Sequence, residues 1–385
     1  MALEPFSESE LRRRRGEKWH HYPEDVLAAW VADMDFVVAE PIRAALAERI
    51  DVADFGYPRA HRATGLPDLF AERVAARFGW HIDARDVIIL SDVVQGLYLA
   101  LETLTERGDG VVIQTPIYPP FLHAAHETGR RAVHCPLVDD GHGYVIDFDQ
   151  LEAAIDAGTR LIMLCNPHNP SGRVFTRAEL ERIAALAIAR DLVVVSDEIH
   201  ADLVLGDRPH IPIAALGPEI AARTVTLMSA SKAFNIAGLC MAFAHFGSAE
   251  LKQRFGAVPA HARGGTNTLA IAAVDAAWRH AQPWLDEVLE QLRRNRDQVA
   301  RHVATHWPGV RHHAPEATYL AWLDMRALGL APSPQEYLLA EARVALNDGR
   351  NFGPDGEGFV RLNFATSPAM LDAILARLDA ALEGR

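Results

Sequence analysis

Lysine is scarce in this chain, and one of its three lysines stands where a lysine is hard to place. Ser229-Ala-Ser-Lys232-Ala-Phe-Asn-Ile-Ala-Gly-Leu239 follows Thr224-Val-Thr-Leu-Met228, an apolar, β-branched run that predicts a buried strand. A strand that stops at Ser-x-Ser-Lys sets one amine at the mouth of a sheet, flanked by hydroxyls. Lys18 lies in a polar N-terminal segment, and Lys252 in a charged helical pattern, Ala249-Glu-Leu-Lys-Gln-Arg254, so neither calls for a special reason. Lys232 does. Forming a Schiff base with a carbonyl cofactor is such a reason, because a desolvated lysine is an effective nucleophile.

Two further polar stretches have the same setting. Arg160-Leu-Ile-Met-Leu-Cys165 reads as a buried strand and opens into Asn166-Pro-His-Asn-Pro-Ser-Gly172. Leu192-Val-Val-Val-Ser196 reads as another and ends at Asp197-Glu-Ile-His200. All three sites fall just past the carboxyl ends of predicted strands, where open α/β sheets build their ligand crevice. The intervals between them leave room for a helical crossover and the next strand.

In this order, Asn-Pro-His-Asn-Pro-x-Gly, Ser-Asp-Glu-Ile-His and Ser-Ala-Ser-Lys resemble the aspartate-aminotransferase superfamily of pyridoxal-phosphate (PLP) enzymes, fold type I. The resemblance spans about residues 30–361. It implies an α/β fold, with a mostly parallel sheet sandwiched by helices in a large domain and a smaller α+β domain beside it. It also implies PLP as the cofactor, with Lys232 carrying it and acting as the catalytic base. PLP is an electron sink that works best with its ring nitrogen protonated, so a carboxylate should face that nitrogen. Asp197 matches the family's aspartate for this role, and Asn169 the asparagine that donates to the 3-oxygen. His200 stands where many relatives carry a tyrosine; its imidazole either reaches the same oxygen or fills space. Tyr118, in Thr115-Pro-Ile-Tyr-Pro-Pro-Phe121, looks like the aromatic residue stacked on the ring.

A phosphate needs backbone N–H groups at a helix start. Ser91-Asp-Val-Val-Gln95 occupies that place, with Val93 and Val94 as backbone donors. Ser229 and Ser231 are expected to add hydroxyls. Asp92 stands where relatives often have glycine, and it repels a phosphate unless it turns outward and caps the helix. Cys240 stands where many relatives have an arginine or lysine for the phosphate. Tyr57, in Phe55-Gly-Tyr-Pro58, matches a tyrosine that relatives send to the partner subunit's phosphate, which implies a homodimer with active sites at the interface. The alternative for Tyr57 is a local turn residue. Arg361, in Phe359-Val-Arg-Leu-Asn-Phe364, matches the arginine whose planar fork takes the substrate carboxylate.

Lys18-Trp19, Trp30-Val-Ala-Asp-Met-Asp-Phe36, and Phe352-Gly353 ahead of Gly356-Glu-Gly-Phe-Val-Arg361 look like the carbon–sulfur β-lyases of cystathionine β-lyase type. By that resemblance Ala32 lies near the substrate carboxylate; the segment around it also reads as an N-terminal strand. The implied reaction is β-elimination on cystathionine or other L-cysteine S-conjugates, giving pyruvate, ammonia and a thiol. An aminotransferase uses the same residues and is the alternative. Intact Lys232, Asp197 and Asn169 speak against a purely regulatory binding protein.

These residues need a scaffold, and the chain supplies its pattern. Val87-Ile-Ile-Leu90 predicts a strand and residues 93–104 a helix. Gly110-Val-Val-Ile-Gln114 and Arg131-Ala-Val-His134 are further short strands. Thr176-Arg-Ala-Glu179 is a capping box that opens a helix to about Ala189. This alternation predicts a mostly parallel sheet covered on both faces. Near Pro283 the pattern turns into a long helix over residues 284–306. Residues 319–324 and 359–364 then alternate like half-exposed strands, and a last helix covers 368–382. The expected division is an N-terminal arm, 1–45, joining the small domain; a large PLP-binding domain, 46–282; and a small C-terminal domain, 283–385.

A chain of 385 residues suggests two domains, and 49% hydrophobic with 23% charged residues is an ordinary globular composition. A net charge of −13 gives no support for nucleic-acid binding. Arg12-Arg-Arg-Arg15 is flanked by Glu8, Glu10 and Glu17 and reads as a solvated helix face or an ion-pairing segment. Cys135, Cys165 and Cys240 are too few and scattered for a disulfide framework or a zinc site, and no metal is expected. Cys165 and Cys240 adjoin apolar runs and read as small buried hydrophobes. The N-terminus lacks the apolar core of a signal peptide, and no run approaches the ~18 apolar residues of a membrane span. The expected compartment is the cytoplasm.

Overall fold

The computed structural model describes residues 3–58, 60–259 and 263–383. Its main sheet has seven strands, in the order Val87–Leu90, Ala242–Phe246, Thr224–Met228, Val193–Asp197, Thr159–Cys165, Gly110–Ile113, Arg131–His134. Ala242–Phe246 runs antiparallel to both neighbours and the other pairings are parallel. The sheet has apolar cover on both faces, and strand periodicity shows how. Leu161, Met163 and Cys165 join one core cluster, with Leu97, Leu101 and Phe121 of the covering helices. Ile162 and Leu164 join the cluster on the other face, with Leu180 and Ile183. The helix Val93–Leu104 has the predicted bounds, and Arg177–Ala189 opens on the predicted capping box at Thr176 and Glu179.

A second sheet is antiparallel, in the order Arg311–His312, Leu320–Asp324, Phe359–Asn363, Asn347–Asp348. Its two central strands are not half-exposed as their pattern suggested; every residue in both is buried. Leu323, Val360 and Leu362 pack with Leu292, Leu371 and Ile374 of the helices Gln282–His306 and Pro368–Leu382. On the other side Trp322 and Phe359 stack at 5.0 Å and belong to the cluster beneath the main sheet. The alternation of residue types reflects two different apolar covers, so it gives no measure of exposure.

Near the N-terminus, Leu27–Ala28 pairs with Val344–Ala345, and Pro5 bridges Phe36. Residues 30–35 form no strand. They are held by side chains instead. Lys18 corrects the sequence reading: it is buried, donating to Asp35 Oδ2 at 2.8 Å and to the Asp33 carbonyl at 3.0 Å. Trp19 Nε1 donates to the other Asp35 oxygen at 2.8 Å. A buried lysine is tolerated here because its charge is paired. In the basic run, Arg12 pairs with Glu8. Cys135 and Cys165 are buried, but Cys240 is exposed, against expectation. It ends the short helical turn Ala237–Leu239 with φ 56°, and that left-handed turn puts it outside the core. Among the described residues, no helix is long and apolar enough to cross a membrane.

Candidate active site

Most of the predicted chemistry converges on a cavity of about 170 Å³ at the carboxyl edge of the main sheet; Arg361 is not among its lining residues and meets it through Asn169. Register explains the convergence. Cys165 pairs with Asp197 and Asp197 with Leu227, so the strands end level and their following loops meet. Ala32, Val93, Val94, Tyr118, Asn169, Asp197, His200, Ser229, Ser231 and Lys232 all line the cavity.

Lys232 Nζ donates to the Ala32 carbonyl at 2.9 Å, and the Tyr319 hydroxyl donates to the same oxygen at 2.8 Å. Burial is the largest influence on the amine and lowers its pKa; Asp33 is the strongest charge opposing it. A lysine with a lowered pKa is more often neutral, which both nucleophile and base require.

Asp197 is the last residue of its strand and is buried. Burial raises its pKa to about 7, against one backbone donor, Ile199 N, at 3.0 Å. Such a carboxylate invites a cationic or hydrogen-donating partner. Behind it, Glu198 is held by His210 at 2.8 Å and by the Ser196 hydroxyl at 2.9 Å.

Asn169 Oδ1 accepts from Arg361 at 3.0 Å. Arg361 also donates to the Trp30 carbonyl at 3.2 Å and to Asn347 Oδ1. Its Nε has no partner among the described residues. Burial lowers its pKa to about 10, which still leaves it charged at neutral pH. His200 Nδ1 is likewise unpartnered among the described residues, and burial lowers the imidazole pKa to about 3, so it is neutral. Burial raises the pKa of the Tyr118 phenol.

At the opposite wall, Asp92 turns outward and caps the helix, accepting from Gln95 N at 2.7 Å. Val93 and Val94 are the first two helical residues, so their N–H groups have no partner within the helix. The two serines differ. Ser229 Oγ donates to the Met241 carbonyl at 2.7 Å and accepts from Ser231 N at 3.0 Å, so it shapes the loop. The Ser231 hydroxyl makes no hydrogen bond among the described residues. Tyr57 does not line this cavity and is fully exposed.

Sequence reasoning missed three residues that aim the site. Tyr319 fixes Ala32 beside Lys232. Asn235 exchanges hydrogen bonds of 2.9 Å with Met34 N and O, from the left-handed conformation that asparagine tolerates. Asn363 Nδ2 donates to the carbonyls of Val31 and Asp33. For the two asparagines the available signal was an amide inside a motif, Lys232-Ala-Phe-Asn235 and Arg361-Leu-Asn363.

A profile of the family described as aminotransferase class I and II matches residues 35–378. The protein named cystathionine beta-lyase PatB, of Bacillus subtilis, is 39% identical over 361 residues, covering 93% of each chain. Among solved structures, one described as OvoB superposes with a TM-score of 0.94 at 38% identity, over 100% of this chain and 99% of the other. The PLP-bound C-S lyase of Staphylococcus hominis superposes with a TM-score of 0.91 at 28% identity, over 99% of this chain and 100% of that one.

Proposed function

This chain belongs to the aminotransferase class I and II family, and from that premise we propose that its cavity carries out PLP-dependent carbon–sulfur β-elimination. It splits cystathionine or another L-cysteine S-conjugate into pyruvate, ammonia and a thiol. The observation that carries the site assignment is one cavity lined by both a lysine amine held on a backbone carbonyl and a buried carboxylate with a raised pKa.

The residues fit PLP. The Lys232 amine suits its carbonyl carbon, and Asp197 suits a protonated ring nitrogen, which relieves the buried charge. The unpartnered His200 Nδ1 and the Asn169 side chain both line the cavity and would serve the polar edge of the ring. Tyr118 offers a flat surface. The Val93 and Val94 N–H groups with the Ser231 hydroxyl offer donors to a phosphate. When bound, PLP withdraws electrons from the substrate Cα and so acidifies its proton.

Arg361 fixes the substrate carboxylate by exchanging its present side-chain acceptors, Asn169 and Asn347, for the carboxylate oxygens, with Ala32 beside it. Lys232 takes the Cα proton; its lowered pKa keeps the amine free to accept it. The electron pair left on Cα forms the new double bond to Cβ as the C–S bond breaks, and sulfur departs with the bonding pair as a thiolate. Water then converts the remaining fragment to pyruvate and ammonia. Asp197 holds a proton at the ring nitrogen throughout. Tyr319 and Asn363 keep the wall around Ala32 from shifting, so that Lys232 meets Cα at a fixed position.

The assembly that suits this site is a homodimer, with Tyr57 reaching the partner's phosphate position. The exposed run Ile50, Val52, Phe55 and Tyr57 supports that reading, because apolar side chains grouped at a surface mark an interface. The division at 1–45, 46–282 and 283–385 and a cytoplasmic location complete the proposal. Purified protein given L-cystathionine should release thiol, pyruvate and ammonia in equal amounts. Loss of cystathionine with the thioether intact would contradict it.

A further inference from the structure

Glu198 and His210 have no exposed side-chain surface, and neither lines the cavity that holds Lys232 and Asp197. Side chains alternate along the strand Val193–Asp197, so Ser196 and Glu198 share one side while Asp197 turns to the other, into the cavity. On its own side Glu198 Oε1 accepts from the Ser196 hydroxyl at 2.9 Å, and Oε2 from His210 Nε2 at 2.8 Å. Two donors favour the ionised carboxylate. His210 Nδ1 has no partner among the described residues, which suits a neutral ring with its proton on Nε2. The pair then carries one net negative charge. The helix Leu66–Phe78 brings the Phe78 ring edge-on to His210 at 5.2 Å, and brings Arg73 and Arg77, which are already bonded to Asp202 at 2.8 and 3.2 Å. Glu198, Arg73 and Asp202 border a space of about 10 Å³, room for one water. Trp278 and Met228, which border it from the helix Thr268–His280 and the strand Thr224–Met228, carry no charge. Ile199 and Ser229 line both this space and the larger cavity, so one layer of side chains separates them.

We propose that Glu198 is a positioning residue for the ring nitrogen of PLP, a fixed negative charge behind Asp197 that makes the site hold the ring proton more firmly than Asp197 does alone. His210 and Ser196 keep that charge in place. The inference rests on the reading of Asp197 as the ring-nitrogen partner, and it serves elimination and amino transfer alike. The physical reason is the state that losing the ring proton would leave: two successive buried carboxylates with no cation at the ring. The same coupling is visible at Asp197 itself. Burial is the largest influence raising its pKa, and Glu198 is the charge that adds to it, with Lys232 acting in the opposite sense.

The test loads the full chain with PLP labelled at its ring nitrogen and follows that nitrogen by NMR as pH rises, beside kcat and KM for L-cystathionine. Glu198→Gln keeps the shape and still accepts from His210, but removes the charge. The pH at which the ring proton is lost should fall by roughly one unit, and kcat about tenfold with KM changed less than about twofold. Glu198→Met with His210→Phe removes the charge without leaving a buried partner behind, and should give the same fall. His210→Gln keeps a donor beside Glu198 and keeps its charge; the ring proton should stay in place even where Tm drops. A ring nitrogen that stays protonated over the wild-type pH range, within about 0.3 unit, in both charge-removing variants overturns the proposal. So does an equal shift in His210→Gln, which would make the effect one of packing. Wild-type protein that takes up PLP with a protonated ring nitrogen but releases no thiol overturns the β-lyase reading and leaves the role of Glu198 to be decided by the same nitrogen signal.

Discussion

Asp197→Asn, in protein stripped of its cofactor, offers a direct reading of how strained the ring-nitrogen site is. Burial raises Asp197 from an ordinary 3.8 to about 7. The folded pKa lies above the unfolded one, so the folded chain binds the extra proton and stability falls as pH rises through this window. Each pKa unit corresponds to about 1.4 kcal/mol, so holding the carboxylate charged above pH 7 costs about 4 kcal/mol relative to an ordinary aspartate. Near pH 5 most of that has not been incurred. The stability of Asp197→Asn relative to wild type should therefore improve by roughly 2–3 kcal/mol between about pH 5 and pH 8. Urea unfolding at the two pH values, followed by tryptophan fluorescence, measures it. Taking the difference between the two proteins removes the contribution of other groups, including His168, His200 and His245, whose pKa values burial lowers. Reloading PLP should flatten the wild-type slope, because a protonated ring nitrogen favours the carboxylate. A gap between the two proteins that stays constant with pH to within about 0.5 kcal/mol would refute the buried, unpaired state of Asp197. In the loaded enzyme the same substitution should cut turnover by orders of magnitude, since a neutral ring is a poor sink.

Three other outcomes are expected. Lys18→Met leaves Asp35 buried with only Trp19 as a side-chain donor and should destabilise the fold by about 3–5 kcal/mol, seen as a drop in Tm; Lys18→Met with Asp35→Leu should recover much of it. Lys232→Ala should abolish thiol release, and borohydride reduction of wild type followed by peptide mapping should label Lys232; a label on Lys18 or Lys252 contradicts the assignment. Tyr57→Ala should weaken PLP retention, and mixing it with Lys232→Ala should restore part of the activity through hybrid dimers; no recovery on mixing would argue against an intersubunit role.

The parts of the site that lie on the main sheet were legible because chemistry there follows strand ends. Each buried strand declared itself by composition; Asp197 ends such a run, and Asn169 and Lys232 lie in the loops that follow two others. The cap at Asp92 was legible for the same reason, since an aspartate before a helix has one favourable use. What failed depended on partners distant in sequence. Lys18 gave no sign of burial because its counter-charge, Asp35, reaches it through an irregular segment with no periodicity. Leu320–Asp324 looked half-exposed because its second cover comes from beneath the other sheet. Tyr319 enters the site from the smaller sheet, and no spacing along the chain links it to Ala32. Cys240 was assigned to the core from its neighbours, but a left-handed backbone turned it out.

The central claim is elimination at Cβ, and the dependence of turnover on an oxo-acid acceptor tests it most directly. L-cystathionine should be consumed at the same rate with and without 2-oxoglutarate, with one thiol appearing for each substrate lost. Turnover that requires 2-oxoglutarate and releases no thiol would contradict the account and assign the chain to amino-group transfer.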